Sequence, residues 1–427
     1  LKPNQTIEQT HMATPTNTSL DEYICLSSFI GKSIALDATN RIPTSQGASG
    51  SGLRHLWERT FGAHVAVTRM QEDILYAAMN GKIFAVNAVT GENLWSVTPE
   101  QKISSENGKN FLTLILAKDE PCLYYSQAGH VIKINQQDGS IVWHELTDQY
   151  STHYPVNIVE AESSIIVGIW GHLFSFNKKT GQQLWKNGLE GYGYAAISMG
   201  IREKVLLIAT HGYLAAVNIL DGTIISYRNL RGTGFNTVAL AFDPFNQSQM
   251  YVATNGQLRC MAYENSSFTK VWKSRLPGMG TAFGHSIYLH CTSDNVKTVI
   301  LGMAGAVCCV DATTGAMLWK NEMKGAGAQF VCLNDFNDDT LIAACGVKML
   351  GINKVTGETD WGATLKGMGG GPFTLSTKRQ STDFNSTTLP PFLEHLEDAK
   401  RQQEAAKGTQ NVGQVVDVAA RIIFNVK

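Results

Sequence analysis

The phrase AVNAVTGENLW, residues 85–95, keeps returning along the chain, and its copies decide how everything around it is read. KINQQDGSIVW (133–143), SFNKKTGQQLW (175–185), AVNILDGTIIS followed by Tyr227 (216–227), CVDATTGAMLW (309–319) and GINKVTGETDW (351–361) share its pattern. Two copies are irregular. CMAYENSSFTKVW (260–272) carries two extra residues and no glycine, and ALDATNR (35–41) reaches Trp57 only after a Gly/Ser-rich insertion. Seven of the eight tryptophans therefore close a copy, Trp170 being the exception, which chance placement would not produce.

Successive closing aromatics lie 38, 48, 42, 42, 45, 47 and 42 residues apart, the period of four-stranded propeller blades rather than of helical solenoids. Ahead of most copies runs a β-type stretch, such as ILYAAM (74–79), SIIVGIW (164–170) or VLLIAT (205–210), followed by a glycine where a hairpin would turn. Each repeat reads as strands A and B, a glycine turn, strand C with the first residues of the phrase, a Thr-Gly or Asp-Gly turn, and strand D with the tryptophan. The turn glycine suits the positive φ of a tight hairpin. The first position is small (Ala35, Ala85, Ser175, Ala216, Cys309, Gly351), which leaves room for an indole; Lys133 breaks this rule, so poorer packing is expected there.

The phrase resembles the eleven-residue tryptophan-docking motif, A-x-D-x-x-T-G-x-x-x-W, of the PQQ-repeat (quinoprotein alcohol dehydrogenase-like) β-propellers, which are also WD40-like in architecture. The resemblance covers residues 23–377. It implies that Trp57, Trp95, Trp143, Trp185, Trp272, Trp319 and Trp361 pack across seams between blades. Ser226 and Tyr227 depart from the pattern in the fifth repeat, as does Phe268, near the missing glycine of the sixth.

Strand counting predicts the closure. The first repeat begins at YICLSS (23–28), already a B strand, whereas GPFTLST (371–377) follows the last tryptophan as a lone strand. Joining the two closes the ring and removes both open edges. The expected fold is an all-β, eight-bladed propeller over 23–377, seven blades being the alternative if the first repeat is not a blade. A polar segment (1–22) precedes it, and a linker with a helical tail (378–427) follows. The tail contains PFLEHLEDAKRQQEAAKG (391–408) and an apolar helical stripe from Val412 to Val426, suited either to docking on the propeller or to a partner.

Charged residues make up 17% of the chain and the formal net charge is -1, which argues against nucleic-acid or anionic-membrane binding. No apolar run approaches the ~18 residues of a membrane span. A monomer is expected. The eight cysteines fall mostly inside strands without metal-ligand spacing and read as reduced, buried thiols, which leans toward a cytoplasmic location. Five glycosylation sequons, at Asn4, Asn17, Asn246, Asn265 and Asn385, keep a secreted one open.

In a propeller the D-to-A connections and B-to-C turns share one face around the central channel. Here those connections are glycine-rich, from GYGY (191–194) to KGMGGGPF (366–373), and lack the strand-loop-helix context of a phosphate loop. Crowding at the axis explains small residues there, and close approach of a ligand to bare backbone is the functional alternative. The candidate ligand-binding residues at this mouth are His64, His153, Tyr154, Tyr194, Arg231, Phe235, Phe283, His285 and Gln329, with Tyr192, Met279, Met323 and Lys324 nearby. Aromatic and Met-rich, the set suits an apolar or peptide-like ligand. At the B-to-C turns Lys32, Lys82, His130 and His172 form either a mildly basic arc or four solvated turns.

Two stretches tempt toward cofactor chemistry. Cys308 and Cys309 are vicinal, as in a disulfide of PQQ-dependent dehydrogenases, but strand alternation sends them to opposite faces. Residues 335–339 (DFNDD) are spaced like a calcium loop yet lack its glycine and distal carboxylate, so an acidic A-to-B turn is expected. No catalytic residue, metal site or cofactor is predicted. The expected function is a non-catalytic platform for a protein or small ligand, resembling the scaffold members of the superfamily, such as the outer-membrane assembly lipoprotein. The alternative is an oxidoreductase using PQQ and calcium.

Overall fold

A computed structural model of the chain describes residues 23–28, 32–37, 54–60, 66–79, 81–99, 112–148, 156–192, 196–231, 238–279, 285–365, 373–377, 379, 381–382 and 387–388. These residues build eight sheets, seven of them around a consecutive antiparallel four-stranded meander and the eighth completed by a strand from the other end of the chain, so the fold is an eight-bladed all-β propeller. Blade 2 runs outward from Ala66–Gln71 through Ile74–Met79 and Lys82–Asn87 to Asn93–Val97. From inner to outer strand, blade 3 spans Leu112–Leu116 to Ile141–Leu146, blade 4 Asn157–Glu160 to Gln183–Asn187, and blade 5 Ser198–Arg202 to Ile224–Asn229. Blade 6 spans Ala239–Phe242 to Ser267–Arg275, blade 7 Ser286–Cys291 to Met317–Glu322, and blade 8 Cys332–Asp335 to Thr359–Thr364.

Blade 1 closes the ring. Its strands Tyr23–Ser28, Lys32–Asp37 and Arg54–Thr60 come from the start of the chain, and Phe373–Thr377 supplies the inner strand, with Leu26 opposite Leu375. That strand also touches the inner strands of blades 8 and 2, so the inner strands form an unbroken circle. Small polar side chains stitch it together. Thr68 Oγ1 lies 3.1 Å from Thr374 Oγ1 and 2.9 Å from Ser376 Oγ, and Asn334 Nδ2 donates to Leu375 O at 3.2 Å. Each of these groups is buried, so each bond also satisfies a polar atom that would otherwise be costly.

The repeated phrase folds the same way in blade after blade. Asn87 Oδ1 accepts from the amides of Val89 and Thr90 at 2.9 Å, and Gly91, at φ 73°, donates to Asn87 O at 2.8 Å. Asn177, Asp311 and Asn353 cap their turns identically, which explains the short polar residue at the third position of the phrase. The ladder then slips by one residue: Ala85 faces Trp95, but Val86 faces Asn93, leaving Leu94 as a bulge. The same slip pushes Val142, Leu184, Ile225, Val271 and Leu318 to the exposed rim.

Five tryptophans reach over to the next blade. The Nε1 of Trp95, Trp143, Trp185 and Trp272 donates to Gln136 O, Lys178 O, Ile219 O and Ala312 O at 2.9 to 3.0 Å, and Trp319 Nε1 to Lys354 O at 3.3 Å. Each accepting carbonyl belongs to the next blade's C-to-D turn, and the indole lies on that turn's glycine. A Cβ added to Gly139 would sit 2.5 Å from Trp95, and one on Gly222 equally near Trp185. Trp361 packs edge-on against Phe336 within the core shared by blades 8 and 1, and residues 38–40, where its receiving turn would lie, fall outside the described residues. Trp57 is opposite Ala35 in the ladder; its side chain is also outside them.

Lys133 does not loosen its blade as expected. Its side chain is buried and its ammonium binds Glu120 Oε2 at 2.8 Å and Lys178 O at 2.9 Å, the same carbonyl that receives Trp143. Part of the expected linker also has structure: Ser381–Thr382 pairs with the closing strand, and Thr387–Thr388 runs parallel to the inner strand of blade 7. The N-terminal segment 1–22 and the tail 391–427 lie outside the described residues.

Candidate functional site

Strand order puts the D-to-A connections and B-to-C turns on one face and the A-to-B and C-to-D turns on the other. Of the candidate mouth residues, His64, His153, Tyr154, Tyr194, Phe235 and Phe283 lie outside the described residues. Arg231 and Gln329 are exposed on the mouth face. His285 is completely buried at the start of blade 7, and burial pulls its imidazole down to about 4, so it is neutral near pH 7. Met279 and Met323 are core residues, and Tyr192 stands edge-on to Tyr213 and Tyr227, with ring centroids 5.2 and 5.6 Å away.

The B-to-C turn residues divide. Lys82 is exposed, whereas His130 is buried with its Nδ1 2.8 Å from His144 Nε2, and burial lowers both imidazoles. The shared proton orients the two rings and leaves the pair uncharged near pH 7, so His130 adds no charge to a basic arc.

The opposite face holds ion pairs that the sequence reading missed. At the calcium-like stretch the Lys354 ammonium takes the place a cation would occupy, 2.5 Å from Asp335 Oδ1 and from Asn337 O and 3.3 Å from Asp338 O. Tyr288 donates to the same Asp335 oxygen at 3.1 Å, and Arg379, just past the closing strand, binds Asp338 Oδ1 at 3.0 Å. Burial lowers Lys354 while Asp335 raises it, and burial beside Asp335 holds the Tyr288 phenol protonated. Blade 4 repeats the device: buried Lys178 pairs with Glu160, the last residue of its own inner strand. Both lysines follow the capping asparagine of the phrase (Asn177, Asn353), and both partners end an A strand. That coincidence within a repeat was the available signal.

These ion pairs join strands of the fold, and the buried cysteines are equally enclosed. Burial raises the thiols of Cys260 and Cys291 to about 12 and those of Cys309 and Cys345 to about 11, so the nucleophilic thiolate is suppressed. Cys308 packs between blades 6 and 7 and Cys309 between blades 7 and 8, on opposite faces of their strand. Among the described residues, no group of three or more His, Cys, Asp or Glu could hold a metal ion, and no helix is long and apolar enough to cross a membrane.

The seam between blades 5 and 6 differs from the five in which a described indole crosses to the next blade. The ladder places Ser226, not Tyr227, opposite Ala216, so serine holds the tryptophan position. Tyr227 lies on the other face of its strand, against Tyr192 and 64% exposed. In place of an indole, Arg228 Nη1 donates across the seam to Phe268 O, and Phe268 is buried against Tyr263. The receiving turn puts Asn265 and Ser266 at φ 49° and 56°, where six other repeats have glycine.

Eight four-stranded blades, hydroxyl-stitched at the axis and indole-locked near the rim, define a β-propeller of the PQQ-repeat class. The family model described as outer membrane protein assembly factor BamB matches residues 45–192 and 259–382, and the chain belongs to that family. The unmatched stretch between, 193–258, contains blade 5 and the inner half of blade 6.

Solved structures agree on the fold. BamB from Moraxella catarrhalis is 16% identical with a TM-score of 0.53, over 70% of this chain and 88% of that one. The computationally designed Ika8 protein is 14% identical with a TM-score of 0.55, over 82% and 94%. The C-terminal WD40 domain of Sif2 is 11% identical with a TM-score of 0.55, over 77% and 91%. No curated protein sequence matches the chain.

Proposed function

We propose that this protein is a non-catalytic propeller scaffold that holds a protein or peptide-like ligand on the face of its D-to-A connections and B-to-C turns. The observation that carries the reading is where the ionisable groups go. On the opposite face, Asp335, Lys354, Glu160, Lys178, Glu120 and Lys133 are drawn into structural pairs. The mouth face presents exposed polar side chains such as Lys324 and Gln329, and its ion pairs, such as Lys186 with Asp148, stay at the surface. The family's description as an assembly factor points the same way.

Photo-cross-linking residues placed singly at Lys324 and Gln329 should yield adducts with a protein partner in cells that make the protein. The same residue at Leu220 or Val355, both exposed on the opposite face, should yield none. Adducts from Leu220 and Val355 alone would overturn the reading. So would turnover of an alcohol or sugar, with an artificial electron acceptor, by protein reconstituted with PQQ and calcium.

A further inference from the structure

Residues 222–293 hold six basic residues, Arg228, Arg231, Arg259, Lys270, Lys273 and Arg275, against two carboxylates, Asp243 and Glu264, in a chain of formal net charge -1. The fold gathers most of the six at one place. Arg228 is near the end of the outer strand of blade 5 and Arg231 just beyond it, while Arg259 and Lys273 are directly opposite each other in blade 6, followed by Arg275 opposite Gln257. Arg259 shares its strand face with Met261, which packs in the core between blades 5 and 6, so its guanidinium is turned into that seam.

Arg259 is the unusual member. It is 3% exposed, and its Nη2 donates to Arg231 O at 3.2 Å and Gln257 Oε1 at 2.8 Å, but its Nη1 is buried with no acceptor. Among the described residues none of the six basic side chains makes an ion pair. Burial and then the Arg228 charge lower Arg259; burial and then the charges of Arg259, Arg275 and Lys270 lower Lys273. An unpaired buried charge beside like charges is costly and is rarely kept without a use. Lysines on an open edge can merely guard against strand pairing. A buried guanidinium with an idle N–H does not serve that purpose.

The shape suggests the ligand. Ser267–Arg275 is, at nine residues, the longest outer strand, and in its sheet it pairs only with Gln257–Glu264. Lys273 and Arg275 stand two residues apart on one face, roughly 7 Å, the spacing of alternate side chains in an extended chain. Guanidinium forks bind carboxylates through paired N–H donors.

We propose that the cation-lined seam between blades 5 and 6 binds an extended acidic segment of a partner protein, its carboxylates taken by the exposed Lys273 and Arg275 and the half-buried Arg228, with the buried Arg259 supplying positive charge behind them. The inference rests on the scaffold reading and adds the chemistry of the partner and a second place of contact. The probe is a fluorescein-labelled peptide of alternating Glu and Thr, titrated with the full chain by fluorescence anisotropy at low and physiological salt. Binding should weaken about tenfold or more in K273Q/R275Q, which alters exposed side chains alone, and similarly in Arg259→Met, which should fold at least as stably as the parent. Lys82→Gln, in blade 2, should bind like the parent.

Three results would overturn the inference: no saturable binding by the parent, equal binding by K273Q/R275Q, or displacement of the peptide by inorganic phosphate or a single-stranded oligonucleotide of matched charge more readily than by unlabelled peptide. None of these would touch the cross-linking result at Lys324 and Gln329, so failure here is separable from failure of the scaffold reading.

Discussion

Blades 4 and 5 meet in one way and blades 5 and 6 in another, although the same repeat builds both seams. At the first, Trp185 is buried, donates to Ile219 O at 2.9 Å and covers Gly222. At the second, Ser226 occupies the tryptophan position, its buried Oγ has no partner, and arginine crosses instead. The difference teaches that the indole is a local fastener rather than a condition of the fold. One seam can exchange it for charge because the continuous inner circle still holds the neighbouring blades.

Removing the circle should therefore cost more than removing any fastener. A chain ending at Leu365 loses Phe373–Thr377, leaving blade 1 three-stranded with an unpaired edge beside the axis. It should be aggregated or largely unfolded by size-exclusion chromatography and circular dichroism. A chain ending at Gln380 keeps that strand and loses the pairing of Ser381–Thr382 and Thr387–Thr388, so it should stay folded and monomeric with a modestly lower Tm. Similar behaviour of the two would mean that the ring is not held from its centre.

Next in size is the fastener itself. Trp185→Ala should cost about 3–5 kcal/mol in urea denaturation, whereas Tyr227→Ala, at an exposed ring, should cost under about 1 kcal/mol. Equal losses would erase the distinction between the seams.

Smaller still are the turns. Gly222→Ala meets two penalties, a φ of 75° and a Cβ 2.5 Å from Trp185 Cε3, and should cost about 2–3 kcal/mol. Asn265→Ala in blade 6 meets the backbone penalty alone, about 1 kcal/mol. A loss at Asn265 as large as at Gly222 would place a packed side chain over both turns.

Much of this architecture was legible in the sequence. The eight copies set the number of blades, and the missing A strand at Tyr23 together with the surplus strand at Phe373 foretold the closure. Small residues opposite the tryptophans were legible for a steric reason: a Cβ on Gly351 would lie 2.2 Å from Trp361. What escaped depends on register or on distant partners. A one-residue offset decides that Tyr227 turns away from its seam, and no composition count reveals an offset. Lys354 and Asp335 lie in different hairpins of one blade, and Lys133 and Glu120 likewise, so each lysine looked merely polar. The candidate mouth was drawn from loops, whose side chains have no periodicity to place them, and it included His285, which the fold buries. The cationic seam was half visible as the scarcity of carboxylates over 222–293, but its convergence needed the fold.

The most direct test of the central claim, that indoles lock the regular seams and that the seam between blades 5 and 6 is held differently, is native-state hydrogen exchange read strand by strand. Amides of 224–229 and 267–275 should exchange through openings of lower free energy than those of 183–187 and 317–322, in the outer strands that carry Trp185 and Trp319. Equal opening energies in the four strands, or greater protection at blades 5 and 6, would contradict it.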